Sequence, residues 1–288
     1  MFSEIHFLIA LVGSAIAGIY DLRTTEIPDA IPHAMIALAL CLALVESLVQ
    51  RSCLPMFYSL LAGIPFLAFG FLLYYFGQWG GGDAKLLAAM VFLLPTKPSF
   101  LNFNFLLPFP VTYLLNVFYV GAVYMILYAL MLALIDRRIL EEFFKKVKAS
   151  ASLLSLTVLA CFLAFFSVNW YFANVIGIEK DLVFLLRNSA LPLTLLVCLL
   201  LLWKFVKVVE DVGFKKRIPV SKLKVGDVLL ESRQWEGITK EELRKIKKSG
   251  RKFITIKTGV RFGPVFCLAL LFTFFYGDIT FFLTRYFL

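Results

Sequence analysis

The chain has 288 residues, 61% of them apolar, with 31 Phe, 11 Tyr and a mean hydropathy of +0.87. Ordinary soluble domains are near half apolar, so the composition excludes a water-soluble globular protein and implies one embedded in a membrane. The formal net charge of +10 then has to be carried by the connections. Alternating ten-residue segments typical of a lipid-facing barrel are absent, which leaves an all-α polytopic bundle as the spanning class.

The first apolar run, about residues 4–20, offers an A-x-A signal-peptidase pattern at residues 15–17. It reads instead as a retained helix, because Glu4 precedes it and Lys and Arg do not, whereas a secretory leader begins with positive charge. Seven further runs follow at about 30–49, 54–76, 83–94, 110–135, 151–170, 182–206 and 263–286, giving about eight transmembrane helices. The fourth is short: twelve residues span only about 18 Å, so it starts earlier, near Gly77, or crosses where neighbours thin the bilayer.

Basic residues orient the scheme. The connections at 21–29, 77–85, 136–150 and 204–262 hold 24 of the 29 Lys and Arg, and an excess of this kind marks the cytoplasmic side. Arg51, Lys97, Lys180, Arg187 and Arg285 remain for the outer side, where both termini then lie. A merely re-entrant fourth segment would flip the first half of the chain relative to the second.

Residues 210–262 are the one sizeable polar stretch, which divides the chain into a bundle at 1–209 that carries the active site, a cytoplasmic module at 210–262 and a last helix at 263–288. Alternation at 223–230 and 253–258 predicts two strands. Between them, 239–250 predicts a helix that opens on Thr239, has Glu242 three residues on and stops at Gly250. The Lys and Arg of this small α+β module suit water or anionic lipid headgroups. The aromatic-and-basic interleaving of a nucleic-acid surface is missing, so no nucleic-acid partner is expected. Cys41, Cys53, Cys161, Cys198 and Cys267 form no C-x-x-C pair, which predicts packing residues and neither a metal site nor a disulfide framework.

Carboxylates at helix depth are costly, about 2.5–3.5 kcal/mol on insertion scales, so each is a functional candidate. Asp21 closes the first segment in G-I-Y-D-L-R-T-T-E-I-P-D (18–29), and Asp83 opens the fourth after Gly80, Gly81 and Gly82. Both fall on the cytoplasmic side of the scheme and are placed to meet. Two carboxyls sharing a site cannot both ionise cheaply, which makes an acid and a base able to activate water against a peptide carbonyl with no cofactor or metal. By helix dipoles, Asp83 at an N-terminus is the base and Asp21 at a C-terminus the proton donor. The glycines, lacking Cβ, suit the close approach of an extended substrate; in isolation the same residues read as an interfacial turn capped by an aspartate. Among rival acids, Ile27, Pro28 and Asp29 predict a turn whose aspartate caps the second helix, Glu26 borders it, and Asp278 sits toward the outer face.

These residues resemble a known family. D-L-R-T-T-E-I-P-D (21–29) resembles the D-x-(K/R)-x-x-x-I-P-(D/N) signature of type IV prepilin peptidases, and G-G-G-D-A-K-L-L-A-A (80–89) their G-x-G-D-x-K block. The chain is similar to the archaeal preflagellin and prepilin peptidase branch, including G-V-R-F-G-P-V-F (259–266) leading into the last helix. The resemblance implies a membrane aspartic endopeptidase in which Asp21 and Asp83 are catalytic, Gly80, Gly81 and Gly82 form the active-site loop, and Arg23 and Lys85 match the basic positions of the motifs. The implied substrates are prepilin or preflagellin signal peptides, cut on the cytoplasmic side to remove a short basic leader. With no C-x-x-C pair, peptidase activity without methyltransferase activity is expected. Residues 151–206 exceed a six-helix core and have no assigned role. Tyr20 and Asp21 also fit a presenilin-like or signal-peptide-peptidase-like protease, but the Pro-Ala-Leu motif of those proteins is missing. An ion-coupled secondary transporter is the alternative from another class, although no self-similar halves are evident.

Overall fold

The computed structural model describes residues 2–177, 181–232, 237–281 and 284. Lys180, Arg285 and the end of the expected final segment lie outside them. Two compact units divide the chain: Met1–Met125 with Lys216–Leu288, and Ile126–Lys215.

The first unit holds α1 (Phe2–Thr24), α2 (Ala30–Val49), α3 (Leu54–Tyr75), α4 (Gly81–Leu93), the start of α5 (Phe109–Ile135), and α10 (Pro264–Tyr276), where α10 is numbered by chain order. Apolar runs without polar interruption make these helices, and backbone punctuation ends them. Gly77, at φ 71°, turns the chain out of α3 as its N–H bonds the Tyr74 carbonyl. At the centre is α4, with Ala84, Leu86, Leu87 and every residue from there to Leu94 buried. It runs antiparallel to α3: Gly70 faces Ala84 near one end, while Ser59 donates to the Phe92 carbonyl at 2.8 Å near the other. Shielded by α1, α2 and α3, a 13-residue helix need not match the bilayer thickness itself.

Helices occur at all eight expected segments. Six are long and apolar enough to cross a membrane, namely α1, α2, α3, α5, and in the second unit α7 (Ala151–Ile176) and Leu182–Phe214; α4 and α10 are shorter. Within the expected 263–286 segment, α10 stops at Tyr276, because Gly277 takes φ 76°, and helical backbone resumes at Ile279. A buried network holds this break. Asn116 donates to Thr273 at 2.8 Å and to the Gly277 carbonyl at 2.9 Å, and accepts from the Ile279 N–H at 3.3 Å. Asp278 accepts from Leu106 N–H and Thr280 N–H and is buried, so it is tied into the fold at the end of α10. Asn116→Leu takes the side-chain partner from the Gly277 carbonyl and the Ile279 N–H, while Thr273 keeps its bond to the Ala269 carbonyl, and is expected to cost about 1–3 kcal/mol, read as a lower unfolding temperature in detergent.

In the second unit, α5 continues into α6 (Arg137–Ala149), then α7, α8 (Leu182–Val208) and a π-helical turn at Val209–Phe214. The stretch 136–150, expected as a loop, is a helix. Asp136 accepts from the Arg138 N–H at 3.2 Å to start it, and Ile139, Leu140 and Phe143 pack on Phe205, Val208 and Val209. Its charge masked an apolar residue recurring every three to four positions, the helical period.

The polar module is a three-stranded sheet of order β1-β3-β2, from β1 (Lys215–Pro219), β2 (Val228–Leu229) and β3 (Phe253–Lys257), beside α9 (Lys240–Lys248). Its core is Val220, Leu223, Ile238, Ile254 and Ile256. The helix expected at 239–250 is α9, opened by reciprocal bonds between Thr239 and Glu242. Two strand expectations change. Residues 223–227 form a turn rather than strand, with Gly226 at φ 94° and Asp227 accepting from the Lys224 N–H, so only Val228 and Leu229 pair with β3. The additional strand, β1, is Lys-Lys-Arg-Ile-Pro, which carries no alternation to betray it. The cysteines are free thiols. Cys41, Cys53 and Cys198 are exposed and thus not core-packing residues, a consequence of lipid-facing surfaces on helices that are apolar all round.

Candidate active site

Asp21 does not close α1; the helix runs on to Thr24, and Asp21 sits inside its final turn, 5% exposed. Its Oδ2 accepts a hydrogen bond from the Gly263 backbone N–H at 2.7 Å, immediately before α10. The close crossing of α1 and α10 makes this contact. A Cβ on Gly18, one turn earlier, would stand 3.0 Å from the Pro264 Cα.

Asp83 is the third residue of α4, whose N-cap is Gly80 in an extended conformation. Its Oδ2 accepts from the Gly80 N–H at 3.2 Å, satisfying one of the unpaired donors of the first turn; glycine has no side chain to return the bond. The three glycines are not equivalent. A Cβ on Gly82 would fall 2.8 Å from the Ile27 Cβ, whereas Gly81 has room, its nearest neighbour being Tyr74 at 3.7 Å. Gly82 therefore lets the α1–α2 turn lie against the start of α4. Through that packing, Asp21 and Asp83 come within electrostatic range of one another.

Lys85 reaches Asp29 across the same turn, with Nζ 2.7 Å from Oδ1. The Asp29 side chain makes no cap bond to α2, contrary to the expected capping, because its backbone is helical there and its carboxylate faces the α4 lysine. Arg23 is exposed in the last turn of α1. Tyr20, Thr24, Glu26, Ile27, Pro28 and Asp29 line an open cleft of about 490 Å³. The Asp29 side chain is 62% exposed and Lys85 21%, and exposed pairs contribute at most about 1 kcal/mol. Asp29→Asn is accordingly expected to leave the unfolding temperature in detergent close to that of wild type. Among the described residues no group of three or more His, Cys, Asp or Glu is placed to hold a metal ion.

Residues 8–135, which include Asp21, Asp83 and the glycines, match the sequence model of the type IV leader peptidase family. That match covers less than half of the chain. Over 199 residues the chain is 27% identical to the prepilin peptidase EppA of Methanothermobacter thermautotrophicus, covering 64% of this chain and 52% of that protein. Over 120 residues it is 30% identical to the preflagellin peptidase of Methanocaldococcus jannaschii, covering 39% of this chain and 51% of that protein. The chain thus spans about half the length of these curated relatives. No solved structure matches it.

The matched stretch ends with α5, so Gly263 lies outside it. Sequence reasoning noticed 259–266 without giving it a role, because a glycine before a proline at a helix start reads as a simple turn. Only its αR backbone, φ −48° and ψ −39°, shows that the missing Cβ serves proximity to Asp21 and not conformational freedom.

Proposed function

We propose that the protein is a membrane aspartic endopeptidase that removes the short basic leader from prepilin-like or preflagellin-like signal peptides at the cytoplasmic face. The observation that carries this reading is the convergence of Asp21, from the last turn of α1, and Asp83, from the first turn of α4, within electrostatic range. The likeness of residues 8–135 to the leader peptidase family supports the reaction class. The chemistry needs two carboxyls in opposite protonation states. One takes a proton from water as the water oxygen bonds to the peptide carbonyl carbon. The other protonates the amide nitrogen as the C–N bond breaks, leaving a carboxyl terminus on the leader and a free amine on the mature chain.

Hydrogen bonding favours Asp21 as the base. Its carboxylate receives an N–H at 2.7 Å, the length of a charge-assisted bond, while that of Asp83 receives one at 3.2 Å. Helix dipoles argue for the reverse assignment, since Asp21 lies in the last turn of α1 and Asp83 in the first turn of α4, so the short Gly263 bond opposes the dipole at Asp21. The two titrate as a pair.

The test is incubation of membranes containing the protein with a prepilin-like substrate, followed by a size shift and N-terminal sequencing. A new N-terminus just before the apolar segment supports the reading. An intact substrate together with proton- or sodium-coupled uptake would replace it with a transporter.

A further inference from the structure

The segment that brings the chain from the polar module into α10 reaches the aspartates from outside the family-matched region. Residues 258–262 separate the end of β3 at Lys257 from Gly263. Three anchors fix their exit. Tyr124 donates to the Arg261 carbonyl at 2.8 Å, Tyr113 donates to the Phe266 carbonyl at 2.9 Å, and Trp79, beside the glycine turn, packs against the Phe262 and Phe266 rings with centroids 5.9 and 5.8 Å away. On this frame the Gly263 N–H points at Asp21 Oδ2, and a Cβ on Gly263 would stand 2.8 Å from the Asp21 Cβ.

We propose that Gly263 is a positioning residue of the active site, fixing Asp21 through its backbone N–H and its lack of a side chain. The inference rests on the peptidase reading and deepens it. Gly263 has a helical backbone that alanine adopts readily, and at such a position alanine ordinarily stabilises. The reason for glycine here is the distance to Asp21. A methyl group would push the carboxylate aside by a fraction of an ångström to an ångström, a displacement that costs about 100-fold where a reacting group must be aligned.

Gly263→Ala, assayed per folded molecule, is expected to cut kcat about 100-fold with KM within about twofold of wild type. A merely structural role would lower the folded yield and leave kcat per folded molecule unchanged. A readout independent of catalysis accompanies this. With the five native cysteines replaced by serine, Asp21→Cys combined with Gly263→Cys is expected to form a disulfide on mild oxidation, since the two Cβ positions, 2.8 Å apart, need to separate by only about 1 Å to reach the usual spacing of about 3.8 Å. Full kcat in Gly263→Ala, or failure of the disulfide, overturns the proposal. If the disulfide forms but wild type never cuts, the peptidase reading fails and takes the catalytic role of the contact with it, leaving the contact itself demonstrated.

Discussion

Membranes carrying Asp21→Asn or Asp83→Asn are expected to leave a prepilin-like substrate uncut under conditions in which wild type completes the reaction, a loss of at least about 100-fold for each. Asparagine keeps the shape of aspartate and one oxygen to accept the existing bond, so the amide oxygen at position 21 still receives the Gly263 N–H and the one at position 83 the Gly80 N–H. What each variant removes is the titratable proton. Because the two carboxyls act as a unit, the double variant should be no worse than either single one. Unchanged expression and detergent extraction, with cleavage gone in all three, separates chemistry from folding. Residual cleavage in one variant, above about a tenth of the wild-type rate, would remove that aspartate from the mechanism.

Gly70→Ala is expected to be nearly as damaging without touching either carboxylate. A Cβ there would stand 2.8 Å from the Ala84 carbonyl oxygen and 3.0 Å from its Cα, the residue directly after Asp83. Backbone cannot rotate out of the way, so the first turn of α4 has to move. Gly63→Ala on the same face of α3 provides the contrast, because its Cβ would meet only the Phe92 ring, at the far end of α4. A side chain can turn, though at a packing cost of about 1–3 kcal/mol. Gly70→Ala should therefore reduce cleavage by about 100-fold with a modest change in unfolding temperature. Gly63→Ala should lower the unfolding temperature more and leave cleavage by the folded fraction close to wild type. Parallel rates and unfolding temperatures from both variants will decide it, and equal activity in the two would show that the α3–α4 spacing does not set the position of Asp83.

The lipid-embedded character of the chain, the helical segments and the capped helix α9 were legible without coordinates. Each follows from neighbours in sequence: long apolar runs have no stable state in water, a bilayer admits only helices once barrels are excluded, and Thr239 with Glu242 closes its own cap. The two candidate carboxylates were legible for the same reason, since an aspartate beside an apolar run stands out by its cost. Where local signals were weak or contradictory, the reading failed. Strand β1 has no alternation, the charge of α6 concealed its apolar face, and Gly277 interrupts the last segment.

Which groups surround the carboxylates was decided only by the tertiary structure. Gly263 is 242 residues from Asp21, and Lys85 is 56 from Asp29, so no local pattern relates them. Gly70, Gly82 and Gly263 look alike in sequence to glycines that have open space, and they differ because another element's backbone or Cβ stands where their own Cβ would be. Residue type states what chemistry a position offers. Burial, reach and charge at Asp21 and Asp83 are collective properties of α1, α4 and the approach to α10, and exist only once these pack.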